Sequence, residues 1–230
     1  MDAKSNIVIK KKFANLKYYI GALKKQGVVN KKNILDVGCG PGEWMFAASK
    51  LNPNAKIVGI DLYEKSLKFA TKYGQRNKIR NCAFLNMDFK DLLKRFPPKS
   101  FDIILCNSVI EYIDENDAFK TFSCLLKKEG LLIMFCNPGP GFYIYSLFQG
   151  LKNLDTIQIL FDLNVLILGT LEKYILNRKR NYFVTFNNLK KIANRNEISL
   201  SKIETEPEFE FREKFLGLTY GFSCKGIKNK

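Results

Sequence analysis

The chain has 230 residues, 46% hydrophobic and 26% charged, enough for one sizeable α/β domain and little more. Its six cysteines form no C-x-x-C pair and it has no histidine, which excludes histidine-based catalysis and argues against a metal centre. The net charge of +16 points either to an anionic partner or to a general richness in lysine, because the basic residues are spread along the chain rather than gathered in one block.

Met1 to Lys12 has no sustained apolar stretch, so no signal peptide is expected, and thiols kept reduced fit a cytoplasmic protein. Phe13, Leu16, Tyr19, Ile20 and Leu23 recur at helical spacing within 7–27 and predict a leading helix, packed on the sheet or capping a site with Tyr18 or Tyr19. Strands are then expected at 33–37, 56–60, 82–87, 101–106 and 130–136. Helices are expected at 43–51, 63–74, near 90–95 and at 115–127. Apolar strands alternating with helices predict a doubly wound parallel sheet covered on both faces. After the Pro- and Gly-rich segment Asn137 to Gly141 the pattern changes to a heavily apolar insertion reaching about Arg180. A helix at 186–195, a strand at 198–204, a polar turn at Glu204 to Glu208 and a last strand near 214–223 complete the chain.

The most informative stretch is Ile34-Leu-Asp-Val-Gly-Cys-Gly-Pro-Gly42, an apolar strand running through Asp36 into Gly38, Gly40 and Gly42. Glycine lets a ligand lie against the main chain, and the strand-to-helix junction is where open α/β sheets hold nucleotide-type ligands. This D-x-G-x-G-x-G spacing differs from the dinucleotide fingerprint G-x-G-x-x-G. It resembles motif I of the class I methyltransferases that use S-adenosylmethionine. Four further segments are similar in order and spacing: Ile57 to Asp61, Phe84 to Phe89, Phe101 to Ile113, and Leu126 to Cys136. The resemblance is strong over 31–137 and weak over 182–223. It implies a seven-stranded, mostly parallel sheet of order 3-2-1-4-5-7-6 with the last strand antiparallel. The whole chain would then be one domain: a helical cap (1–30), a cofactor-binding half (31–137), an apolar helical lid (138–181) and a C-terminal helix with strands 6 and 7 (182–230).

The resemblance also implies S-adenosyl-L-methionine as cofactor and S-adenosyl-L-homocysteine as product. Asp36, Gly38, Cys39, Gly40 and Gly42 would hold the amino-acid end, with backbone N–H groups and the helix N-terminus favouring its carboxylate. Asp61 would accept from both ribose hydroxyls, or serve as a helix N-cap. Leu62 would lie along the ribose and adenine. Asp88 would accept from the adenine amine beside Phe89, or cap a short helix. Asn107 and Ser108 leave the fourth strand where the methyl group would point.

In many small-molecule members of the family Glu-His follows this strand; here Glu111-Tyr112 stands instead. Asn107, Glu111 and Tyr112 are therefore the catalytic candidates, for orienting substrate or moving its proton, against a plain helix start with a packed aromatic. An amine, thiolate or easily ionised hydroxyl acceptor needs the least help. Nucleic-acid bases fit poorly, because Asn107-Ser-Val-Ile110 replaces the Asp/Asn-Pro-Pro-aromatic motif of exocyclic-amine methylation. Expectation falls on a small, lipophilic or lipid- or saccharide-linked acceptor. The alternatives are an RNA or protein acceptor using the basic surface, or a cofactor-binding subunit without turnover. Residues 142–180 read either as a lid packed on the domain or as a peripheral membrane contact. Oligomeric state is not legible.

Overall fold

The structure, a computed structural model, describes residues 13, 15–135, 139–171, 184–203, 214–216, 218–219 and 221–229. Residues 1–12 of the cap, the loop start at 136–138, the basic stretch with Lys173 and Arg178 to Arg180, and the Glu204 to Glu208 turn lie outside the described residues.

A leading helix α1 (Leu16–Lys25) precedes β1 (Asn33–Val37), α2 (Glu43–Leu51), β2 (Lys56–Asp61), α3 (Glu64–Arg76) and β3 (Cys82–Asn86). A 3₁₀ turn (Phe89–Asp91) and α4 (Leu92–Arg95) lead to β4 (Phe101–Cys106), a second 3₁₀ turn (Ile110–Tyr112), α5 (Glu115–Leu125) and β5 (Leu126–Met134). The insertion forms α6 (Pro140–Lys152) and α7 (Thr156–Leu171). It is followed by α8 (Phe186–Arg195), β6 (Ile198–Ile203), the two-residue strands β7 (Lys214–Phe215) and β8 (Leu218–Thr219), and β9 (Ser223–Lys228).

Seven strands form one sheet in the order β3-β2-β1-β4-β5-β9-β6, which is 3-2-1-4-5-7-6 once the small β7–β8 hairpin is set aside. The sheet is mostly parallel with its last strand antiparallel, as the sequence resemblance implied. Two expected boundaries need correction. The sheet strand expected near 214–223 is Ser223–Lys228, because its inward positions include Ser223 and Lys228, which look solvent-facing in sequence. Lys228 is tolerated because its Nζ donates to Ser123 Oγ at 2.9 Å. The fifth strand starts at Leu126 rather than 130, since Leu126 pairs with Phe101 before a register shift in which Leu131 pairs with Ile103. Glu129 takes φ +63° in that excursion.

The chain divides into two compact units, residues 1–107 with 121–133 and 227–230, and residues 108–120 with 134–226. In the first unit β1 and β4 are nearly fully buried, as expected for central parallel strands with both faces covered. Helix α2 is buried from Glu43 through Ser49, whereas α3 buries only Ser66, Leu67, Ala70 and Gly74, one stripe of an amphipathic helix. The leading helix lies against α2: Tyr19 is 6% exposed and meets Trp44 edge-on, with ring centroids 4.7 Å apart. Tyr19 is thus a core residue. Asp102 ties three strands at their start, accepting from the Lys32 and Asn33 N–H groups at 3.0 and 2.8 Å and pairing with Lys127 Nζ at 2.7 Å.

In the second unit α6 and α7 form a helical hairpin. A Cβ at Gly150 would stand 3.1 Å from Ile159 Cγ1, so the two helices approach closely at that point. Its core joins Tyr143 and Val165, with Phe142 and Leu166 packed against them. Helix α8 is capped by Thr185, whose Oγ1 accepts from the Asn188 N–H, and buries Leu189, Ile192 and Ala193. Asn188 Nδ2 in turn donates to the buried Glu115 of α5.

Candidate active site

The turn from β1 to α2 is fixed by its own sequence. Gly38, Gly40 and Gly42 all take positive φ, at 68°, 52° and 92°. Gly42 is required twice over: a Cβ there would meet Phe46 at 3.0 Å and Phe84 at 3.2 Å. At Gly40 an added Cβ would meet nothing within 4 Å, so this is the open side of the loop, where a ligand can approach backbone.

The loop is clamped to β2. The Cys39 N–H donates to Ile60 O at 2.9 Å, the Gly40 N–H to Asp61 Oδ2 at 2.8 Å, and the Gly42 N–H to Cys39 O at 3.0 Å. These three N–H groups are engaged inside the protein. Cys39 itself is buried, its thiol pushed up by burial and by the Asp36, Asp61 and Glu43 charges, so it packs rather than reacts.

Asp36 at the end of β1 is 1% exposed, and its Oδ2 finds no hydrogen-bond partner among the described residues. Burial holds its carboxyl well above the usual carboxylate range, reinforced by the nearby Glu43 and Asp61 charges. Three carboxyl groups thus gather around one glycine loop. Glu43 went unnoticed as part of this group in sequence; its signal was an acid directly after Gly42 on the first turn of α2.

Asp61 closes β2. Oδ2 holds Gly40, and Oδ1 accepts from the Tyr63 N–H at 2.7 Å. Asn86 Nδ2 binds the Asp61 and Leu62 carbonyls at 3.0 and 3.1 Å, fixing the chain where it leaves the strand. Each carboxylate oxygen keeps capacity for a second donor. Leu62 stands 70% exposed beside it. Asp88 is the N-cap of the 3₁₀ turn, Oδ1 accepting from the Lys90 N–H at 2.9 Å. Phe89 packs edge-on against Phe122 at 5.9 Å.

After β4, Ser108 takes φ +54°, an uncommon conformation for a residue with a side chain, and its N–H donates to Phe135 O at 3.2 Å. Glu111 and Tyr112 sit in the second 3₁₀ turn. Tyr112 is 81% exposed, so the packed-aromatic reading is corrected for it. Glu111 is half-buried, one carboxyl oxygen has no hydrogen-bond partner among the described residues, and burial pushes it up to about 7.

The apolar insertion buries two polar groups of its own. Tyr143 is buried and pushed up to about 12, first by burial and then by the Glu111, Tyr112 and Asp162 charges. Asp162 is fully buried. Its Oδ2 accepts from Gln158 Nε2 at 3.0 Å, and its Oδ1 has no hydrogen-bond partner among the described residues. The signal for it was a lone acid inside the apolar run of α7.

A family model described as a methyltransferase domain matches residues 29–158. The ubiquinone biosynthesis O-methyltransferase of Pelagibacter ubique is 34% identical over 110 residues, 45% of this chain and 42% of the relative. A malonyl-[acyl-carrier protein] O-methyltransferase of Ilyobacter polytropus is 29% identical over 145 residues, 62% of this chain and 52% of the relative. The chain spans about half the length of these curated relatives. Among solved structures, the YcgJ protein from Bacillus superposes with TM-score 0.62 at 16% identity, covering 93% of this chain and 99% of its own. A SAM-dependent methyltransferase from Aquifex aeolicus gives TM-score 0.60 at 14% identity over 91% and 89% of the two chains. At such identity these two show the shared fold.

Proposed function

The chain belongs to the methyltransferase domain family, and from that premise we propose that it transfers a methyl group from S-adenosylmethionine to a small-molecule acceptor. The observation that carries this reading is the loop itself: three carboxyl groups, with Asp36 Oδ2 buried and unbonded among the described residues, beside a glycine backbone open at Gly40. Such a donor-poor, acid-lined loop suits a ligand bearing hydroxyl and ammonium donors, and S-adenosylmethionine has both, with a sulfonium charge beside them. When bound, it supplies a sulfonium-activated methyl group.

The chain's own residues divide the remaining work. Asp61 accepts the ribose hydroxyls with the capacity left after Gly40 and Tyr63. Asp36 and Glu43 favour the ammonium. Leu62 and Phe89 flank the base, and the second oxygen of Asp88 takes its amine. Asn107 and Ser108 line the exit of β4, where alignment of the reacting atoms matters most, since in-line displacement is chiefly a problem of position. Glu111, poised near neutral pH, takes the proton from a hydroxyl or amine acceptor, with Tyr112 orienting it.

Support for a small and lipophilic acceptor comes from the relatives named for ubiquinone biosynthesis and for malonyl-carrier O-methylation. Calorimetric titration with S-adenosylmethionine and S-adenosylhomocysteine, followed by a methyl-transfer screen on catechols and acyl-linked carboxylates, tests the proposal. Saturable cofactor binding with turnover of one acceptor class supports it. A well-folded protein that binds neither compound overturns it.

A further inference from the structure

Helix α7 presents an uncharged apolar face to solvent. Ile157, Leu160, Phe161 and Leu168 are 79%, 68%, 56% and 40% exposed, a stripe at spacings of three, one and seven along one side of the helix, widened by Ile167 at 56%. Phe148 and Leu151 of α6, and Leu154 in the turn between the helices, extend it at 52%, 51% and 85%. The one acid of α7, Asp162, is turned inward and buried, so no carboxylate of that helix interrupts the stripe. An exposed apolar surface of this extent on one helical hairpin marks a contact site.

We propose that the α6–α7 hairpin docks on an anionic lipid surface, lying in the interface rather than crossing it. Among the described residues no helix is long and apolar enough to span a membrane, and α7 has 16 residues. The chain's net charge of +16 complements anionic headgroups. Lys152 closes α6 and exposed Asp155 stands in the turn, so the attraction comes from the chain's net charge and not from the turn itself. An exposed aliphatic and aromatic face on a basic protein is the combination that binds in the interface plane of anionic bilayers. A second copy of the chain is the poorer occupant: each copy carries +16, so self-association brings like charge together, whereas an anionic bilayer attracts it.

The test is co-sedimentation of the full chain, without cofactor or acceptor, with phosphatidylcholine vesicles that contain or lack about one third phosphatidylglycerol. At about 0.1 M salt, where screening reaches ~10 Å, the protein should pellet with the anionic vesicles and bind the neutral ones at least tenfold more weakly. The double variant Leu160→Glu/Phe161→Glu changes only exposed positions and should lose anionic-vesicle binding by tenfold or more, with its far-UV spectrum and melting temperature kept. Three results would overturn the proposal: wild-type protein that stays in the supernatant, binding that the double variant retains, or light scattering showing a wild-type dimer that the double variant converts to monomer. Because the readout needs no methyl transfer, its failure and that of the proposed activity are separable.

Discussion

Asp61 Oδ2 accepts the Gly40 N–H at 2.8 Å, so the residue at the end of β2 shapes the loop at the end of β1 as well as facing any ligand held there. Substitution therefore acts twice. Asp61→Ala should weaken S-adenosylmethionine binding by about 1.5–3 kcal/mol, the range for losing hydrogen bonds to a charged acceptor. Asp61→Asn keeps one oxygen for Gly40 and should recover part of that loss. Isothermal titration of the three proteins distinguishes the roles, and an unchanged dissociation constant in the alanine variant removes Asp61 from the site.

Gly42→Ala should destabilise the fold itself. The residue takes φ +92°, and its new methyl group would press on Phe46 and Phe84. Left-handed strain of roughly 1–2 kcal/mol and overpacking of about 1–3 kcal/mol point the same way. Urea unfolding should show a lower midpoint; a variant as stable as wild type would mean that the loop can relax away from both rings.

Asp102 offers a pH test of the sheet. Burial alone would raise its carboxyl, but Lys127 and the Asn33 and Lys32 N–H groups hold it below the usual value. A depressed carboxylate contributes stability above its unfolded pKa and loses it as pH falls through the folded one. Asp102→Asn should cost about 1–3 kcal/mol at pH 7. That difference should shrink on acidification below about pH 4. Denaturant melts at the two pH values measure it; a pH-independent difference would show that the charge is not what matters.

Glu111 runs the other way. Burial pushes it to about 7 from 4.5, so the folded chain keeps a proton that the unfolded chain has released. Its contribution to stability therefore falls as pH rises from 4.5 to about 7 and is flat above. Glu111→Gln should gain on wild type by about 1–3 kcal/mol across that window. Methyl transfer to a hydroxyl acceptor should rise with pH around 7 in wild type, and Glu111→Gln should lose that rise. A variant with a wild-type pH profile would assign proton transfer elsewhere.

Legibility in the sequence followed how local each cause was. The bounds of β1, α2, β4 and α8 could be read because continuous apolar runs, the glycine loop and a Thr cap mark them directly. The last strand could not, since Ser223 and Lys228 look exposed until Ser123, 105 residues away in sequence, supplies a partner. The start of β5 depends on the pairing of Leu126 with Phe101, which no local pattern announces. At the site, the acids and glycines were legible as residue types. That Cys39, Gly40 and Gly42 spend their N–H groups on the protein is a tertiary fact. So is the placing of Tyr143 among the Glu111, Tyr112 and Asp162 charges.

The acids around the glycine loop sit in a chain whose net charge is +16, and this reversal of sign with distance has a kinetic consequence. S-adenosylmethionine carries one more positive charge than S-adenosylhomocysteine. If it is the cofactor, the protein's field would repel it at long range, and only within about a screening length, ~8–10 Å at moderate salt, would the local carboxylates draw it in. Added salt should thus speed its association and leave that of the neutral product nearly unchanged. The same asymmetry would help the demethylated product to leave, since once the methyl group is gone the attraction that held its charge is gone as well.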